Sequence, residues 1–182
     1  IPQGGTLQGT LTESVTIPAG STWTLKGYVY VPEGITLTIG EGATIKSDLA
    51  EKGAICIEMG GKIFAQGSSD KPIVFTSGRP DGEKAPGDWG GIILLGKATT
   101  NKVNPTIEGG VGRTYGGTDD NDNSGILRYV RVEYAGIAAF PNSEINSFTF
   151  AGVGRGTIVE YCESYYGNDD AFEFFGGTVN CK

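Results

Sequence analysis

At 182 residues the chain is long enough for one domain with a continuous core, and it is acidic: 21 Asp and Glu stand against 14 Lys and Arg, for a net charge of −7. Without a basic stripe this balance argues against nucleic acid, and no run of about 18 apolar residues exists to span a membrane as a helix. His is absent, which removes the usual general base, the commonest metal ligand and the physiological pH switch together.

Residues 1–13 read as a polar lead-in or first partial coil. Val15-Thr16-Ile17-Pro18-Ala19-Gly20-Ser21-Thr22-Trp23-Thr24-Leu25 then returns fourteen residues later as Val29-Tyr30-Val31-Pro32-Glu33-Gly34-Ile35-Thr36-Leu37-Thr38-Ile39. Each copy is a short alternating strand, a Pro-x-Gly corner and a second alternating strand, a unit that cannot bury its apolar side without a neighbour stacked on it. Gly42 to Lys46, Ala54 to Met59, Lys62 to Ala65 and Pro72 to Ser77 continue the short-strand rhythm. Residues 78–87 form a polar excursion. Asp88-Trp89-Gly90-Gly91-Ile92-Ile93-Leu94-Leu95-Gly96 is the most apolar run and predicts a strand buried on both sides. Residues 97–124 form a long irregular insertion, the kind of segment that often carries function. Strands resume at Ile126 to Tyr134, Ser147 to Ala151, Thr157 to Tyr165, Ala171 to Phe175 and Thr178 to Cys181. Spacings such as Leu37 to Ile57 and Ile73 to Ile92 suggest coils of about 20 residues. The 31 glycines follow no G-X-Y period, which excludes collagen, and cluster at the ends of apolar runs, where corners need positive φ. The predicted fold is all-β: a single-stranded right-handed parallel β-helix over residues 1–182.

Val31 to Ile39, Gly60-Gly61-Lys62-Ile63, Pro72-Ile73-Val74-Phe75-Thr76-Ser77, Gly87-Asp88-Trp89-Gly90-Gly91-Ile92 and Asp169 to Asn180 together resemble a family of secreted or lipid-anchored right-handed parallel β-helix proteins of Bacteroidetes-type bacteria, within the pectin-lyase-like fold group. The resemblance implies this fold and an extracellular or outer-surface location. Members usually carry a lipoprotein signal and further coils. Here the chain opens without an initiator Met and stops at Lys182 in mid-coil, so a trimmed portion of a longer solenoid is expected.

Several constellations could carry chemistry. Asp120, Asp122 and Ser124, followed by Gly125, match the head of a calcium loop, but Arg131 stands where the loop's closing bidentate Glu belongs. The alternative is a solvated acidic turn. Asp169 and Asp170 resemble the paired acids of polygalacturonase-like glycosidases, without that family's third Asp, Gly-His-Gly or Arg-x-Lys; closing a turn is the competing role. Eleven of the eighteen aromatics fall between Tyr129 and Phe175. The Phe residues are expected to form interior ladders, with Trp89 a corner plug whose N–H is satisfied. Tyr134, Tyr161, Tyr165 and Tyr166 are the candidate contact surface for sugar rings or a protein partner. Glu133, Glu160 and Glu163 are expected to project outward, splayed or bridged by a cation. Cys56 reads as a buried small hydrophobe. Cys162 and Cys181, about one coil apart, are a candidate disulfide pair. Three functions follow: a non-catalytic surface module binding a glycan or a surface protein, a polysaccharide-active enzyme using Asp169 and Asp170 with calcium, or a structural envelope subunit joined end to end through open coils.

Overall fold

The computed structural model describes residues 4–141 and 143–182, so Ile1, Pro2 and Gln3 of the lead-in lie outside the described residues. β1 (Thr6–Thr10) opens the chain alongside β3. The first coil runs through β2 (Val15–Ile17) and β3 (Thr22–Val31) to β4 (Thr36–Ile39). The second is β5 (Thr44–Ser47), β6 (Ile55–Ile57) and β7 (Lys62–Gln66), and the third is β8 (Ile73–Thr76), β9 (Ile92–Leu95) and β10 (Gly125–Arg128). The fourth begins with β11 (Val130–Glu133), detours through a hairpin of β12 (Ala138–Phe140) and β13 (Ser143–Glu144), and returns through β14 (Phe148–Ala151) and β15 (Ile158–Glu160). β16 (Glu163–Tyr165), β17 (Phe172–Phe175) and β18 (Asn180–Cys181) complete the last.

These strands stack in parallel as three faces. β2, β4, β7, β10, β15 and β18 form one sheet. The other large sheet is bent within β3: β5 pairs with Thr22 to Leu25, whereas β6 pairs with Val29 to Val31. We call β5, β8, β11 and β16 with the first half of β3 the first face. The second half with β6, β9, β14 and β17 is the second face, and the separate sheet is the third. The bend falls at Gly27, whose φ of 64° favours a residue without Cβ. Gly53 packs directly on it: a Cβ there would lie 2.0 Å from the Gly27 carbonyl. No helix among the described residues is long and apolar enough to cross a membrane.

The parallel β-helix is as expected, but the sequence echo works differently. Its two copies do not stack on each other. They are successive corners of one coil, and stacking comes 22 residues on, where Ile17 meets Ile39 and Thr22 meets Thr44. The shorter spacing also misassigned columns: Leu37 lies opposite Ile63, and Ile57 opposite Leu94.

Inward side chains form one core, from Leu7 and Ile17 through Ile45, Phe75 and Leu127 to Val159. The Phe ladders are interior at Phe148 and Phe150, which stack on Phe172 at 4.8 Å and Phe174 at 5.2 Å, but Phe174 itself is 48% exposed and Phe175 points away from the main core. Trp89 is a buried plug whose indole N–H donates to the Glu133 carbonyl at 2.7 Å. The run Ile92 to Leu95 is indeed buried on both sides. Ile92 and Leu94 enter the main core, while Ile93 and Leu95 face outward into a second one. Residues 97–124 build that second core by folding over the outside of the second face. Ile107, Val111 and Tyr115 pack there with Cys56, Ile145 and Ala151. Tyr28 and Tyr30 donate their hydroxyls to the carbonyls of Gly109 and Val111. Arg113 lies over the Tyr30 ring, 4.1 Å from its centroid, and pairs with Glu58. Cys56 is fully buried, and burial pushes its thiol up to about 12.

Candidate functional site

The outer side of the first face ends, in its last two coils, between two sets of tyrosines. Instead of the unbroken strands expected over Ile126 to Tyr134 and Thr157 to Tyr165, each stretch breaks at a tyrosine. Tyr129 (φ 48°) turns the chain from β10 into β11, and Tyr161 (φ 55°) turns it from β15 into β16. At the far edge of the face Tyr134 (φ 58°) and Tyr166 (φ 52°) take the same left-handed form. That conformation costs about 1–2 kcal/mol for a residue with a Cβ. Glycine would occupy these corners without that cost, so the tyrosine rings must offset it, through their stacking or through what they contact at the surface.

The rings stack between coils. Tyr129 and Tyr161 lie 4.8 Å apart at 18°, and Tyr134 and Tyr166 lie 6.0 Å apart at 14°. Tyr165 stands edge-on to Tyr134 and Tyr166, at 6.0 and 4.6 Å. Tyr161 and Tyr166 are outermost, 60% and 62% exposed. Of the candidate contact residues, Tyr134, Tyr165 and Tyr166 form one cluster, and Tyr161 sits at the opposite edge. Its partner Tyr129 escaped the sequence reading. A 32-residue echo would have found it: Ile126-Leu127-Arg128-Tyr129-Val130-Arg131-Val132-Glu133-Tyr134 against Ile158-Val159-Glu160-Tyr161-Cys162-Glu163-Ser164-Tyr165-Tyr166.

Between the two edges lies a charged floor. Arg131 Nε reaches Glu133 at 3.0 Å and Glu163 at 3.6 Å, and its guanidinium lies 4.4 Å from the centroid of the Tyr165 ring. On the adjoining third face, Glu160 is held by Arg128 at 2.6 Å and Lys182 at 3.8 Å. Of the two arrangements open to these glutamates, splayed or bridged, the structure shows them paired with basic side chains of the protein itself. A groove of about 330 Å³ runs beside Tyr129 and Tyr161, with Ser69, Pro72, Arg131 and Glu163 in its walls. Aromatic rings flanking hydrogen-bonding groups suit a ligand with flat apolar patches and many hydroxyls.

The calcium reading does not fit the geometry. Asp120 Oδ1 accepts from the Thr99 amide at 3.0 Å, and its carbonyl accepts from Thr178 Oγ1 at 2.6 Å. Ser124 is buried, with its amide bonded to Thr157 Oγ1 at 2.8 Å. Asp122 is buried against Gly96, so burial raises its pKa, although the backbone amides of Lys97 and Gly154 pull the other way. These residues fasten the insertion to neighbouring coils. Among the described residues no three Asp, Glu, Cys or His side chains are grouped to hold a metal ion.

The disulfide expectation is also corrected. The three cysteines are free thiols. Cys181 pairs in register with Val159, three residues short of Cys162, because the coil is 22 residues long and not nineteen. Both thiols lie along the open end of the last coil beside Phe172 and Phe174. Burial pushes Cys162 up to about 11.

Asp169 and Asp170 sit in the corner between Tyr166 and β17, both exposed. Neither carboxylate closes the turn. Asn168 does so, its amide donating to the Ala135 carbonyl at 2.9 Å and its Nδ2 to that of Gly136 at 3.2 Å. The aspartates instead add negative charge near Glu173 on the outer side of the second face. Burial raises the pKa of Glu173, with an opposing hydrogen bond from Asn146 and further upward pressure from Glu108, Asp170 and Asp169. Burial likewise raises Glu108, reinforced by Glu144 and Asp169.

No curated protein and no solved structure matches the chain. The profile of the pectate-lyase-like β-helix domain does, over residues 9–182. That match spans nearly the whole solenoid, and the chain belongs to the pectate-lyase-like β-helix domain family.

Proposed function

We propose that the protein is a non-catalytic binding module, working outside the cell or on an outer surface, that holds a glycan along the tyrosine-edged face. A β-helix domain of this family fits a carbohydrate-related or surface role, and a rigid solenoid presents an extended surface for a polymer. The observation that carries the reading is the placement of four tyrosines in left-handed corners, stacked pairwise across coils. Two of them expose most of their rings. Tyr161 and Tyr166 supply stacking platforms at opposite edges. Arg131, Glu133 and Glu163 between them offer donors and acceptors for hydroxyl groups.

A polysaccharide pull-down with the protein and its Tyr161→Ala, Tyr166→Ala variant tests this. Retention by the parent and loss in the variant are expected; equal retention would remove the tyrosines from the site. Released reducing ends or unsaturated products, abolished by Asp169→Asn with Asp170→Asn, would replace the binding module with the enzyme.

A further inference from the structure

The charge along the tyrosine-edged face decides which kind of glycan suits it. Its floor is the outer side of β11 and β16. Val130 and Val132 point into the main core, so Arg131 and Glu133 alternate outward, and Glu163 and Tyr165 stand in register with them. Arg131 is the only base on these two strands, and β8, stacked before them, carries none. Lys71, in the turn before β8, is paired with Glu41 at 3.1 Å. Lys46 of β5 is separated from β11 by the whole of β8. One positive charge on the floor thus faces two negative ones, 3.0 Å from Glu133 and 3.6 Å from Glu163.

The two glutamates differ in access. The Glu133 side chain is 14% exposed and accepts from Thr76 Oγ1 at 2.8 Å. That of Glu163 is 56% exposed and stands in the wall of the groove of about 330 Å³ beside Tyr129 and Tyr161. Glu163 is therefore the acceptor open to a ligand, and a carboxylate holds hydroxyl donors more strongly than a neutral oxygen does. A polyuronate carries a carboxylate on each sugar, which Glu163 repels at contact and a chain of net charge −7 repels at a distance. A cationic sugar reaching Glu163 meets Arg131 beside it. Hydroxyl groups are compatible with both charges, and the apolar faces of sugars with the exposed rings of Tyr161 and Tyr166.

We propose that this face selects an uncharged glycan, a polymer of neutral sugars, and rejects polyuronates, with Glu163 as the residue that enforces the choice. The inference rests on the glycan reading above and names the class of glycan. It parts the chain from the pectate in its family's description. Sugar hydroxyls donate to Glu163, and the tyrosines take the rings.

The test is calorimetric titration with cellohexaose, mannohexaose, xylohexaose and carboxyl-reduced hexagalacturonate, against hexagalacturonate itself. The best neutral hexamer should bind at least tenfold more tightly than the uronate. Added salt should leave the neutral hexamer unchanged and tighten only the uronate, by screening the repulsion. Glu163→Gln should narrow the gap at least threefold, weakening the neutral hexamer and helping the uronate. Glu13→Gln makes the same charge change at an exposed site away from the face and should leave the gap as it is. Uronate binding as tight as that of the best neutral hexamer, with or without Ca²⁺, would overturn the inference and leave the glycan reading intact. A gap that Glu163→Gln does not narrow would also overturn it. So would a gap that Glu13→Gln narrows equally, by showing only the net charge of the protein. Retention of charged glycans alone in the pull-down sinks this inference alone; retention of no glycan sinks both readings.

Discussion

Replacing Tyr161 and Tyr166 by glycine separates what these residues do for the fold from what they do at the surface. Both backbones are left-handed, with φ of 55° and 52°. Glycine relieves about 1–2 kcal/mol of strain at each. Against this stand about 1 kcal/mol of lost ring stacking, about 1 kcal/mol for the part of each ring that is buried and about 0.5–1 kcal/mol of extra unfolded-chain entropy. The sum is a loss of about 1 kcal/mol per site, or a fall of about 4–8 °C in Tm for the pair in a chain of this size. Alanine keeps the strain and loses the ring, so its variants should be less stable than the glycine variants by about 0.5–1 kcal/mol per site. At an ordinary strand position the order would be reversed. Thermal melts of the two double variants therefore read the backbone, and glycan titration reads the surface: both should bind at least tenfold more weakly, about 1.4 kcal/mol. Alanine variants as stable as glycine variants would refute the corner geometry. Unchanged affinity in both would refute the binding role.

Four further outcomes follow from other parts of the molecule. Phe150→Ala should destabilise by about 3–5 kcal/mol in urea melts, because the ring is fully buried and stacked on Phe174. Asp88 is buried, which alone would raise its pKa, yet hydrogen bonds from Ser77, the Ala85 amide and Arg79 hold it below the ordinary value. Its stabilising effect is present above the unfolded carboxylate pKa and is lost as pH falls through the lower folded one. Asp88→Asn should accordingly cost about 2 kcal/mol at pH 7 and progressively less on acidification. Glu173 has the opposite sign, since its raised folded pKa makes stability fall as pH rises through it. Glu173→Gln should raise Tm at pH 7, with the gain shrinking as pH drops. Chelator should leave the thermal melt unchanged, because the Asp120 carboxylate is engaged by the Thr99 amide and no three acids among the described residues are grouped to hold a metal ion.

The fold was readable because alternation and Pro-x-Gly corners are local signals that every coil repeats. Ile92 to Leu95 announced double-sided burial by its lack of alternation, although nothing local said that residues 97–124 supply the outer cover. The stacking columns were misread because Leu37 and Ile57 are chemically as good a pair as Leu37 and Ile63, and insertions at corners erase the period. That error carried into the cysteine pairing, where three residues decide which side chain lies opposite. Tyr161 and Tyr166 were found from composition, whereas Tyr129 needed its partner in the next coil. The acids that act on Glu108 and Glu173 come from residues 144, 169 and 170 as well as from each other, and such distances are bridged only by the tertiary fold.

In a solenoid whose coils touch only their neighbours, stability is a chain of local links and the ends fray first. Residues 97–124 change that connectivity. They grip Tyr28 and Tyr30 of the first coil, Glu58 of the second, and Phe175 and Thr178 of the last. The segment is a brace laid across the stack, so an end coil cannot peel away without tearing contacts several coils distant. Amide exchange along β3, β6, β9 and β14 should then report one common opening event in place of a gradient from the ends. Force applied to one coil is then shared with the coils that the brace ties to it.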